Sequence, residues 1–167
     1  MITLYIHGLD SSPKLEKTAI INTYSSVEAL HLDYRKQPDS FDILSKLIID
    51  KKISHIIGSS LGGYLGFWLA ERFGLPCLLF NPAIGLRSIE LNIDVKNRTC
   101  PNRLIVIGEK DDVVTPKTTL SFLKEHKSDN CKQRIITCND LAHQIDLDTF
   151  KEFVDYFFYA EVIKETA

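Results

Sequence analysis

Apolar positions along the chain follow two different periods. Short apolar runs, several rich in β-branched residues, at Ile2–Ile6, 28–34, 53–57, Cys77–Phe80, 104–107 and 134–137 predict strands. In the second of these, Leu30 and Leu32 alternate with polar neighbours. Between the runs the spacing changes to that of helices. Phe41, Leu44, Leu47 and Ile48 share one helical face, and Tyr64, Leu65, Trp68 and Leu69 mark the next helix. A third helix is predicted over 118–126, with Pro116 suited to its first turn. A terminal helix over 147–162 carries Phe150, Phe153, Val154 and Phe157 on one face, and a weaker helical pattern covers 11–22.

Strands alternating with helices imply an α/β fold: a mostly parallel sheet of about six strands covered on both faces, three layers in all. Ligands of such sheets bind beyond the carboxyl ends of the strands. The segments to inspect are therefore 7–10, 58–60, 81–82, 108–111 and 138–144.

Bulk properties narrow the reading. The 167 residues fit one domain, 1–167, without a staple. A net charge of -2 argues against a nucleic-acid partner and against a polybasic membrane anchor. No leader-like segment follows Met1, and no apolar run reaches the ~18 residues of a spanning helix, so a cytoplasmic location is expected. Cys77, Cys100, Cys131 and Cys138 form no C-x-x-C pair, which leaves no zinc motif and an expectation of free thiols.

Candidate chemistry begins at Gly58-Ser59-Ser60-Leu61-Gly62, a G-x-S-x-G pattern placed between a predicted strand and a predicted helix. That context is the nucleophile elbow: a sharp turn that lifts a serine hydroxyl clear of the sheet, with small flanks at Gly58 and Gly62. No lysine follows the glycines, so a phosphate-binding P-loop is excluded. Ser60 holds the central position, and Ser59 is expected to pack beneath the turn.

A serine needs a base, and histidine suits the task near neutral pH. The α/β-hydrolase chain order is serine, acid, histidine. Of the five histidines, His55 and His31 fall within predicted strands, His126 near a helix end, and His7 at the end of the first strand. His143, in the loop after the last strand, is the candidate base. Asp111, three residues past Gly108 in a strand-end loop between Ser60 and His143, is the candidate acid in preference to Asp112. Asp140, Asp146 and Asp148 read as loop polarity and helix caps. The oxyanion donors are expected to be the backbone N–H groups of Leu61 and Leu9, with His7 and Gly8 shaping the loop.

These residues resemble a known family. The opening Leu4-Tyr5-Ile6-His7-Gly8-Leu9-Asp10-Ser11-Ser12-Pro13, the run Ile57 to Tyr64, and Asn81-Pro82-Ala83 are similar to the YqiA-type esterases, small bacterial α/β-hydrolases. The resemblance extends over nearly the whole chain. It implies an α/β-hydrolase fold reduced at the N-terminus, because the chain begins on the His-Gly strand. It also implies a minimal lid at 84–101, and Ser60, Asp111 and His143 in the triad positions. The implied substrate is a small acyl ester or thioester, hydrolysed through an acyl-enzyme. No metal or organic cofactor is implied, and the protein is expected to be a monomer or homodimer. Two other readings share the scaffold: a non-catalytic binding protein, and a serine hydrolase of amide or peptide bonds.

Overall fold

The computed structural model describes residues 1–96, 98, 99, 101–126 and 131–165, with side chains described to residue 160. Among the described residues six strands and five helices follow one another, with no helix between β4 and β5: β1 (Ile2–Ile6), α1 (Leu15–Asn22), β2 (Ser26–Glu28), α2 (Ser40–Lys51), β3 (His55–Ser59), α3 (Leu61–Phe73), β4 (Cys77–Phe80), β5 (Arg103–Gly108), α4 (Pro116–Glu125), β6 (Gln133–Cys138) and α5 (Leu147–Glu165). The strands form one sheet in the order β2-β1-β3-β4-β5-β6, and all five pairings are parallel.

The two faces of the sheet explain the predicted apolar runs. Leu4, Ile6, Ile56 and Leu79 point to one face, where Phe41, Leu44, Leu65, Phe67 and Leu123 of α2, α3 and α4 cover them. Tyr5, Ile57, Leu78 and Phe80 point to the other, against Ile21 of α1 and Phe150, Val154 and Phe157 of α5. The central strands are thus buried on both sides, as wholly apolar runs require. Pro116 opens α4, and α3 ends on Gly74 at φ 69, a left-handed cap that glycine adopts without strain.

Two expectations need correction. The second strand does not run over 28–34. It pairs with β1 only at Ser26–Glu28, and residues 29–34 form a loop. Of the alternating pair, Leu30 is exposed and Leu32 is buried, as is Tyr34. The loop is held by side-chain bonds: the Leu32 N–H donates to His7 Nε2 at 3.0 Å and the Tyr34 hydroxyl donates to the His7 carbonyl at 2.7 Å. The second correction concerns the cysteines. Cys77 and Cys138 remain thiols, but Cys131 is disulfide-bonded. Such pairing depends on Cα proximity in space, which sequence spacing does not record. Cys100 and the neighbouring stretch 127–130 lie outside the described residues.

The predicted lid region contains neither helix nor strand among its described residues. Ile84 and Leu91 anchor it in the core, leaving Leu86 and Ser88 exposed. Among the described residues, no helix is long and apolar enough to cross a membrane.

Candidate active site

Strand order reverses between β1 and β3: the chain runs from β1 outward to β2, then returns to the other side of β1. Loops leaving the two strands therefore part at their carboxyl ends and open a crevice. Leu9 and Ser60 sit in these loops.

Ser60 follows the last residue of β3 with φ 54 and ψ -121, a conformation L-residues rarely adopt. Its surroundings hold it there. The Ser60 N–H donates to the Phe80 carbonyl at 2.9 Å, and the Ser60 carbonyl accepts from Tyr64 and Ala83, both at 3.0 Å. The glycines of the motif are demanded by close approach. A Cβ on Gly58 would lie 2.5 Å from the Gly62 carbonyl oxygen, and one on Gly62 would lie 2.2 Å from that of Ile6. On Gly8 it would lie 3.2 Å from Ser60 Cβ, so the loop after β1 passes directly over the serine.

His143 and Asp111 come together from loops at the ends of β6 and β5. His143 Nδ1 is 2.8 Å from Asp111 Oδ2. The Asp111 side chain is fully buried, and its Oδ1 accepts from the N–H groups of Val113 and Val114 at 2.9 and 2.8 Å. A buried carboxyl group given two backbone donors is fixed in place. Asp112, next in sequence, is exposed. Ser60 and His143 line the same crevice, a cavity of about 730 Å³ shared with Gly8, Leu9, Lys17 and His31. They also line a second hollow with Leu61, Leu86 and Arg87. Among the described residues Ser60 Oγ and His143 do not form a hydrogen bond, a contact that commonly tightens only once substrate is bound. The N–H groups of Leu9 and Leu61 likewise donate to no other group among the described residues.

The remaining histidines and acids sort by geometry. His7 is buried, its Nε2 accepts from Leu32, and its Nδ1 is left to donate to the Gly8 carbonyl at 2.7 Å. Burial holds its pKa below the ordinary value, so the ring stays neutral and fixes the loop carrying Leu9. His55 packs against Phe157 and Phe158, and His126 stacks on Phe122, both away from Ser60. His31 was expected within a strand. It is an exposed loop residue instead, stacked on His7 at 5.4 Å and lining the crevice. Asp140 pairs with Lys110 on the surface, and Asp146 accepts from the N–H of Thr149 at the start of α5.

One residue was missed by the sequence reading. Asn81, after β4, is buried at φ 42. Its Oδ1 accepts from the Gly108 N–H at 2.7 Å, and its Nδ2 donates to the carbonyls of Ala142 and His143 at 2.9 and 3.3 Å. One amide thereby ties the Asp111 loop to the His143 loop. Its only signal in the sequence was an asparagine at a strand end. Among the described residues, no group of three or more His, Cys, Asp or Glu could hold a metal ion.

A parallel sheet of this order, with a strained serine after β3 and an Asp–His pair beyond β5 and β6, defines an α/β-hydrolase fold. Solved structures share it. The chain is similar to a Paleococcus ferrophilus monoacylglycerol lipase, with a TM-score of 0.72 and 13% identity over 95% of this chain and 94% of that one. It is similar to Est1E from Butyrivibrio proteoclasticus, with a TM-score of 0.68 and 17% identity over 97% and 88% of the two chains. It is also similar to Arabidopsis thaliana SOBER1, with a TM-score of 0.69 and 15% identity over 94% and 97%. A family model described as "Uncharacterised protein family (UPF0227)" matches residues 2–131. The chain belongs to this family, the YqiA-type group of α/β-hydrolases.

Proposed function

We propose that the protein is a serine esterase that hydrolyses small acyl esters or thioesters, with Ser60 as nucleophile, His143 as general base and acid, and Asp111 as the group that orients it. The observation carrying this reading is the His143–Asp111 bond, at the mouth of the crevice that Ser60 also lines. The structural neighbours include a monoacylglycerol lipase, which supports the same class of reaction.

In the first step Ser60 Oγ attacks the acyl carbon while its proton passes to His143 Nε2. Negative charge develops on the carbonyl oxygen, which the N–H groups of Leu9 and Leu61 stabilise with donors not spent elsewhere among the described residues. Asp111 holds Nδ1 protonated and balances the imidazolium. The alcohol or thiol leaves with the proton from His143, and an acyl-serine remains. Water then gives a proton to the same histidine and attacks the acyl carbon; the Ser60 Oγ–acyl bond breaks, Oγ takes the proton back from His143, and the carboxylic acid is released.

A fluorophosphonate probe and a short 4-nitrophenyl ester test this. We expect labelling at Ser60 and turnover, both abolished in Ser60→Ala. An unlabelled wild-type protein would instead favour a binding role on a hydrolase scaffold, and turnover surviving in Ser60→Ala would remove the serine from the mechanism.

A further inference from the structure

The crevice beside Ser60 is lined by two cations, Lys14 and Lys17, and one carboxylate, Asp10, among its described residues. Asp10 is already satisfied. Arg35 Nε donates to its Oδ1 at 2.8 Å and Arg35 Nη2 to its Oδ2 at 2.6 Å. Lys17 is different. It projects from α1, is half-buried, and takes part in none of the ion pairs among the described residues. Its ammonium lies 5.0 Å from the centre of the Phe150 ring, a core aromatic. The carboxylate that attracts it is Asp146, the residue just ahead of α5, and both Asp146 oxygens accept from Thr149, at 2.8 Å each. Burial lowers the Lys17 pKa, against the opposing pull of the Asp146 carboxylate.

An ammonium partly removed from water, with no carboxylate in ion-pair contact among the described residues, carries a desolvation cost. A negatively charged group placed in the crevice would offset it. We propose that Lys17 forms a subsite for a carboxylate carried by the substrate, so that the preferred esters are monoanionic. This rests on the esterase reading for its position next to Ser60. Lys14 is exposed and Lys17 is half-buried, so the crevice presents one partly desolvated positive charge, which suits one carboxylate, and among its described lining residues there is no guanidinium fork of the kind that suits phosphate. The hydroxyls of Ser11 and Ser12, which also line the crevice, can complete the carboxylate's hydrogen bonds.

The test uses the whole protein and matched ester pairs, one anionic and one neutral. Mono-4-nitrophenyl adipate against 4-nitrophenyl hexanoate reads the acyl side. The 4-carboxyphenyl acetate and phenyl acetate pair reads the leaving-group side. The quantity compared is the anionic-to-neutral ratio of kcat/KM, taken relative to wild type so that intrinsic reactivity cancels. Lys17→Met is expected to lower this ratio about tenfold or more on one side, the loss of one hydrogen bond to a charged group. Lys17→Arg keeps the charge and retains most of it, and Lys124→Met, an exposed lysine on α4, serves as the net-charge control. A ratio unmoved by Lys17→Met on both sides overturns the subsite. Binding separates this from the esterase reading: adipate or 4-hydroxybenzoate is titrated into Ser60→Ala and into Ser60→Ala with Lys17→Met. Weaker binding to the double variant supports the subsite even if no ester turns over. Equal binding overturns it even if esters are hydrolysed.

Discussion

Replacing Asn81 by glycine isolates one amide at the centre of the site. Glycine accepts φ 42 freely, so the substitution removes hydrogen bonds without adding backbone strain. Gly108 is buried, and its N–H would lose its acceptor, at about 1–3 kcal/mol. The carbonyls of Ala142 and His143 belong to an exposed and a half-buried residue, so water can replace the lost donor and the penalty there is roughly 0.5–1 kcal/mol. Glycine adds about 0.5–1 kcal/mol through the freedom it regains on unfolding. The total is about 3 kcal/mol, or about 6–12 °C in Tm for a chain of this length. Activity should suffer more than stability implies. The amide spans the loops that present Asp111 and His143, and a displacement of about 1 Å at a catalytic group can cost about 10²-fold. Thermal unfolding and kcat on a 4-nitrophenyl ester, measured below the variant's Tm, check both parts. Wild-type kcat in a destabilised Asn81→Gly would refute the positioning argument, and an unchanged Tm would refute the energetic one.

Two further outcomes follow from the same geometry. Gly62→Ala places a methyl group 2.2 and 2.4 Å from the carbonyl oxygens of Ile6 and His7, both backbone, so strand and helix must separate. Expression and circular dichroism should show a protein that fails to fold or has lost the elbow, and a folded variant labelled at Ser60 would contradict this. His7 has a folded pKa lowered by burial, so the unfolded chain binds more protons between that value and the ordinary 6.5. Stability then rises with pH across that window and is lost as the pH falls below it. In His7→Gln, which can still accept from Leu32 and donate to Gly8, denaturant unfolding at pH 5 and pH 7.5 should show a smaller difference than in wild type. Equal differences would assign the effect to other groups.

Sequence periodicity carried most of the sheet. Cys77–Phe80 is wholly buried, and a run buried on both faces keeps its pattern whatever surrounds it. Periodicity failed at 28–34, where Leu32 and Tyr34 are buried by hydrogen bonds to His7 rather than by strand pairing. Two-residue alternation reports burial on one side of an extended chain and does not report the ladder. The elbow was legible because G-x-S-x-G encodes a local turn whose glycines are set by contacts at short range. Asn81 and Lys17 were not legible as site residues. Their significance lies in where β5, β6 and α5 bring other groups, and no single-chain spacing records that.

Sheet position also sets how the site responds to heat. The serine follows β3, flanked by β1 and β4, whereas His143 follows β6, which pairs on one side only and carries exposed positions along its length. Local opening draws on the least buried, outermost elements first. Ser60 and His143, the proposed nucleophile and base, thus belong to regions of unequal durability. Warming should therefore silence the site while the central strands still hold, and the working temperature range of the protein is governed by how firmly one border strand stays docked.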